Sequence, residues 1–131
     1  MINPKFYPFY IALGLSAVFF IVYILLSNQG LILSLEPNES IGDISRWCER
    51  VSGGIFREPS NALSNIGFMI LGLLMFWFLG KDIKSSNSNQ FTGINSISIL
   101  YAGAALFLGP GSLLMHGTHT EWGEWADNLS M

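Results

Sequence analysis

Long uncharged apolar runs alternate with shorter polar stretches along this chain, and the runs are too long to be amphipathic surface helices. Residues 8–27, PFYIALGLSAVFFIVYILLS, carry no charge over twenty positions. As a helix, that run covers about 30 Å, the thickness of a bilayer's hydrocarbon. A second uncharged run occupies residues 62–80 (ALSNIGFMILGLLMFWFLG), and a third residues 94–115 (INSISILYAGAALFLGPGSLLM). The pattern predicts an all-α membrane protein with three transmembrane helices, at 8–27, 61–80 and 94–116. A tail (1–7), a polar connection (28–60) and a loop (81–93) flank them, and 117–131 is expected to be a loop and the start of a truncated next helix. The first run exceeds a usual signal-peptide core and lacks a small-x-small site near its end, so it reads as an uncleaved anchor. Phe6, Tyr7, Phe9 and Tyr10 suit an interfacial aromatic belt.

Polar residues inside these runs are the informative exceptions. Asn61, Ser64 and Asn65 fall at i, i+3 and i+4, one face of the second helix. Lipid would waste that stripe, so it is expected to face protein, water or metal-bound groups. In the third run Gly109-Pro110-Gly111 predicts a kink or break one turn before Ser112. Ser112 and His116 share a helix face, and Asp127 follows His116 by eleven positions. For its carboxylate to meet that imidazole the chain must turn back, which Gly117 and Gly123 would ease. The connection 28–60 holds five acidic residues (Glu36, Glu39, Asp43, Glu49, Glu58) and three arginines (Arg46, Arg50, Arg57). Connections of this length tend to be functional or disordered.

Composition narrows the classes. With 131 residues the chain is one domain; half are hydrophobic and 11% charged, which suits a membrane better than a soluble core. A net charge of −3 without a basic cluster argues against a nucleic-acid partner. The single cysteine, Cys48, excludes an internal disulfide and a cysteine-built zinc site. Lys5, Lys81 and Lys84 would lie on one side and Arg46, Arg50 and Arg57 on the other, a tie by count. Because the lysines sit in the short loops, a cytoplasmic N-terminus is expected, in a bacterial-type inner membrane, with the C-terminal polar cluster facing outward.

Two stretches taken together carry more than either alone: WCERVSGGIFREPSNALSN (Trp47–Asn65) and GPGSLLMHGTHTEWGEWAD (Gly109–Asp127). The aromatic-Cys-Glu triplet, the Glu-Pro-x-Asn-x-x-Ser-Asn run entering a helix, and Gly-Ser-x-x-x-His followed eleven residues later by Asp resemble the alkaline ceramidase family, especially its bacterial members. The resemblance covers residues 45–131, and the first span lies outside it. It implies an integral membrane zinc amidase with a seven-helix bundle, cleaving a lipid amide such as ceramide to a fatty acid and a sphingoid base. His116 would be a zinc ligand, with Ser112 near the metal and Asp127 the carboxylate that works with the activated water. A further H-x-x-x-H pair supplies two more zinc ligands in the family. Glu49 and Glu58, with Trp47 in the same triplet, match a neighbouring calcium site, which Asn61 could support.

The residue types suit that chemistry. Zinc takes imidazole ligands, keeps one position open in catalytic sites and activates water; calcium prefers several hard oxygens. Departures from the family pattern are specific. Arg46 stands where many members have aspartate before the triplet, Val51 where some have asparagine, and no H-x-x-x-H is present. The expectation is an N-terminal part of such an enzyme, partnered by a segment with the missing pair and inactive alone. The alternative is a non-catalytic three-helix membrane protein, a partner subunit or degenerate relative. Receptor-like cousins with a similar bundle fit the motifs less well. His119, three residues after His116, could support the site, but it reads more simply as a solvent-facing loop residue.

Overall fold

A computed structural model describes residues 3–37, 48–82 and 91–131. A 3-10 turn at Pro4–Phe6 leads into α1 (Tyr7–Asn28) and α2 (Leu31–Ser34), followed by α3 (Pro59–Ser64), α4 (Ile66–Lys81), α5 (Ser96–Thr118) and α6 (Glu121–Ser130), with no strand element among the described residues. Among the described residues, three helical runs are long and apolar enough to cross a membrane: Pro4–Asn28, Pro59–Lys81 and Ser96–Thr118. The fold is therefore all-helical, with the three apolar spans of a multi-pass membrane protein.

Local chemistry sets the helix boundaries. The Asn3 side chain accepts the Lys5 amide to start the first run, and Pro8 sits in the first turn of α1, where its missing N–H costs nothing. Gly30, with φ of 75°, reverses the chain after α1. Asn95 and Ser98 cap α5 reciprocally: the Ser98 amide donates to Asn95 Oδ1 at 2.9 Å and the Asn95 amide to Ser98 Oγ at 3.1 Å. The second span is interrupted for one residue at Asn65. There the Ser64 hydroxyl and the Asn65 side-chain amide both donate to the Asn61 carbonyl, at 2.7 and 2.8 Å, competing with the helix ladder.

The expected break at Gly109-Pro110-Gly111 does not occur, because α5 runs through Pro110. Close packing on both flanking glycines holds it. A Cβ at Gly109 would strike the Met69 side chain and lie 2.9 Å from the Asn65 carbonyl; one at Gly111 would lie 2.6 Å from Ser130 Cβ and 2.8 Å from the Ala126 carbonyl. Glycines serve here as contact surfaces. Gly72 of α4 similarly lies against the Leu106 backbone, and Gly123 of α6 against the Leu114 carbonyl. In lipid no hydrophobic force draws apolar helices together, so close backbone approach at small residues takes over. These contacts seat α6 antiparallel to α5, with Gly123 near Leu114 and Ser130 near Gly111.

Two small clusters hold α1 to the rest. Ala12 packs with Phe76, Leu79 and Ala102, while Tyr23 packs with Ile32, Ala62 and Leu113. Phe6 and Phe9 meet the Trp77 ring at centroid distances of 4.9 and 5.2 Å.

Candidate functional site

The segment before α3 lies along the C-terminal end of α5 and brings the two motif stretches together. The Arg57 amide donates to the Gly117 carbonyl and the Glu58 amide to the His116 carbonyl, each at 3.0 Å, while the Ser52 amide closes a loop onto the Arg57 carbonyl at 2.7 Å. Gly117 permits this approach: Tyr23 and Phe56 occupy the space a side chain would fill. Arg57, buried itself, donates from Nη2 to the Leu35 carbonyl at 2.7 Å and the Leu33 carbonyl at 3.3 Å, tying α2 to the same spot. Tyr23 and Ser27 of α1 donate to the Ile55 carbonyl at 3.1 and 3.0 Å.

This scaffold places the Glu58 side chain, wholly buried, between both histidines of the chain. Glu58 Oε2 contacts His116 Nδ1 and accepts from Asn61 Nδ2 at 3.0 Å. Its other oxygen, Oε1, lies 2.8 Å from His119 Nε2. A buried carboxylate is costly unless paired and hydrogen-bonded; here Oε2 is hydrogen-bonded and Oε1 has the close approach of the His119 ring. The cluster is in series, imidazole–carboxylate–imidazole, with Asn61 bracing the centre.

His119 is therefore not the solvent-facing loop residue expected from sequence; it is 5% exposed. It also makes the turn that had been expected of Gly117 and Gly123, both of which lie inside helices. With φ of 52°, His119 adopts the left-handed conformation that ends α5 and points the chain into α6. That conformation costs a non-glycine residue roughly 1–2 kcal/mol. Strain of this kind persists where surroundings over-determine it, and here the Glu58 contact does so. Burial pushes the imidazole below its ordinary pKa against the opposing pull of the Glu58 carboxylate. Thr120 then caps α6, accepting the Gly123 amide at 3.2 Å.

Glu49 has a different role. Its two oxygens accept the Ser60 and Asn61 amides at 2.7 and 2.8 Å, capping the first turn of α3. Desolvation raises its pKa, but those amide bonds and the Ser60 hydroxyl outweigh it, and the carboxyl lies below its ordinary range. Glu49 and Glu58 thus both bind the first turn of α3. Trp47, Asp43 and Arg46 lie outside the described residues. Of the polar stripe, Asn61 joins the cluster, Asn65 is buried at the junction of α3 and α4, and Ser64 is exposed. Ser112 lies one turn before His116 on α5 and Asp127 lies on α6, both partly buried. Neither side chain is hydrogen-bonded to another described residue.

Metal chemistry can be tested against this arrangement. Among the described residues no three His, Cys, Asp or Glu side chains are arranged to hold a metal ion. The donor chemistry at His116 nonetheless suits zinc: its Nδ1 already meets a carboxylate, as metal-binding histidines usually do. Calcium fits less well, since it needs six or more converging oxygens. Here Glu49 caps backbone amides and Glu58 meets imidazoles. An apolar cavity of about 450 Å³ lies between α1, α2 and α5, lined by Phe19, Tyr23, Leu26, Ile32, Leu114 and Trp122 among others and by no residue of the Glu58 cluster. Tyr23, in its wall, packs on Gly117 beside His116.

No protein-family model, curated protein or solved structure matches this chain.

The Glu58–His116 contact spans 58 positions of sequence. Residue spacing offers no signal for such a pair, and only the shared resemblance of the two stretches hinted that they belong together. Arg57 and Tyr23, which lock the scaffold, had no sequence signature at all.

Proposed function

We propose that the protein is a ceramidase-like hydrolase of lipid amides, the N-terminal part of a seven-helix zinc-hydrolase bundle. The observation that supports this reading is that its two resemblance stretches fold onto each other through the Glu58–His116 contact. His116 would hold the metal together with a segment carrying H-x-x-x-H. A zinc ion held there would supply Lewis acidity toward the amide carbonyl and an activated water. Asp127 would then take a proton from the attacking water and return it to the leaving amine, and Ser112 would donate to the amide oxygen as charge develops. The products are a fatty acid and a sphingoid base. The cavity bounded by Tyr23, Leu114 and Trp122 has the apolar lining that an acyl chain requires.

The test is to co-express the chain with a segment carrying H-x-x-x-H on an apolar helix and measure fatty acid released from ceramide in zinc-containing buffer. Release is expected from the pair and lost in His116→Ala. Full activity in that variant overturns the zinc-ligand assignment. A second reading, a non-catalytic three-helix membrane protein, draws on the closed cluster in which Glu58 already occupies both imidazoles. It predicts no release from any pair and an unchanged assembly in His116→Ala.

A further inference from the structure

We infer that Glu58 is a positioning residue for His116: it holds Nδ1 inward as the protonated nitrogen and leaves Nε2 as the ring's one ligating atom. This inference rests on the zinc reading for its purpose but not for its geometry. The resemblance places Glu58 at a calcium site, whereas among the described residues its side chain meets His116, His119 and Asn61. It sits instead between two imidazoles, wholly buried, with every contact converging on its orientation.

Three features fix the carboxylate. Its own backbone amide donates to the His116 carbonyl at 3.0 Å, so Glu58 and His116 are held together at main chain as well as side chain. Asn61 Nδ2 donates to Oε2, the oxygen that meets His116 Nδ1. His119 Nε2 lies 2.8 Å from Oε1 and braces the far side of the carboxylate. When Glu58 is ionised its carboxylate only accepts, and a neutral His116 then presents an N–H at Nδ1. The second nitrogen is then a lone-pair donor. Metal-binding histidines are oriented in this way, and their affinity depends on the partner. His119 accordingly acts through Glu58: its ring engages the carboxylate, and its left-handed backbone delivers it there.

The experiment uses the full chain in lipid nanodiscs with nitrogen-15-labelled histidine. Only two histidines are present, so His119→Ala assigns the spectrum. In metal-free protein at alkaline pH, His116 is expected as the Nδ1–H tautomer. In Glu58→Met, which keeps the volume and removes the acceptor, it should revert towards the Nε2–H form that free imidazoles prefer. Cobalt affinity, read by optical titration, should fall roughly 10–100-fold in the same variant. Finding His116 as Nε2–H in the unmodified chain overturns the inference, even if Glu58→Met does not fold. Equal cobalt affinity in the two proteins also overturns it. The expected tautomers without any cobalt binding would support the Glu58 orientation while removing the zinc reading, so the two failures are separable.

Discussion

The first span and the other two are similar in length and composition but packed by different means. Of the most apolar window, 17% is buried in Pro4–Asn28 and 28% in each of Pro59–Lys81 and Ser96–Thr118. On α1, Ile11, Leu15, Val18, Ile21 and Leu25 are exposed, as expected of a helix solvated by lipid. Its glycine, Gly14, has open space where a side chain would go. On α4 and α5, Gly72, Gly109 and Gly111 press against neighbouring helices while Gly67 and Gly103 do not, and the Glu58 cluster is built from the start of α3, α5 and the turn after α5. Hydropathy makes a span, but contact at its small residues makes a scaffold.

The sharpest way to break this comparison is to add one methyl group to each kind of glycine. A Cβ at Gly72 would lie 2.6 Å from the Leu106 Cα, and backbone cannot rotate away. Gly72→Ala should therefore destabilise the α4–α5 pair by about 1–3 kcal/mol, the usual range for overpacking. Gly14→Ala has nothing to strike and should be neutral or stabilising by up to ~1 kcal/mol, since alanine is the better helix former. Thermal unfolding of both variants in the same detergent checks the pair. Equal shifts would mean that the glycine contacts do not hold the helices together.

That contrast also explains what was legible in the sequence. The three spans were legible because lipid demands unbroken apolar runs, and such runs need no knowledge of partners. Their pairing was not, because apolar residues cover α1 and α4 on all sides and no face stands out. The Gly109-Pro110-Gly111 motif read as a break for the same reason: intrinsic propensity was visible, the Met69 and Ser130 surfaces that support it were not. His119 misled in a related way. A histidine between two short polar stretches looks solvated until a buried carboxylate from 61 positions earlier is seen beside it. The candidate site was thus legible as two separate motifs, whereas its inner bracing by Glu58, Asn61 and His119 was not.

A smaller effect tests how α1 is fastened despite its lipid-facing surface. Tyr23 donates to the Ile55 carbonyl and stacks on Phe56 at a centroid distance of 5.1 Å. Tyr23→Phe keeps the stacking and removes one hydrogen bond, which Ser27 also makes to the same carbonyl at 3.0 Å. The expected loss is about 1 kcal/mol. The paired change Tyr23→Phe with Ser27→Ala should cost more than the two singles added together, because the Ile55 carbonyl then loses both donors. Strict additivity in denaturation of the four proteins would show that α1 is not anchored through this carbonyl.

The mildest test is pH, and its sign follows from Glu49. Amide donors at Ser60 and Asn61 hold its carboxyl below the ordinary range, so the folded form binds its proton less readily than the unfolded chain. Its contribution to stability is complete above the ordinary carboxylate pKa and is lost as pH falls through the depressed folded value. Because Glu49 is only partly buried, solvent screening keeps the effect small and local to the first turn of α3. Hydrogen exchange at the Ser60 and Asn61 amides, corrected for intrinsic rates, should lose protection over that acid window, whereas amides in the middle of α1 should not. Glu49→Gln should remove the pH dependence. Persistence of the dependence in that variant would assign it to another carboxylate at the site, with Glu58 the nearest candidate.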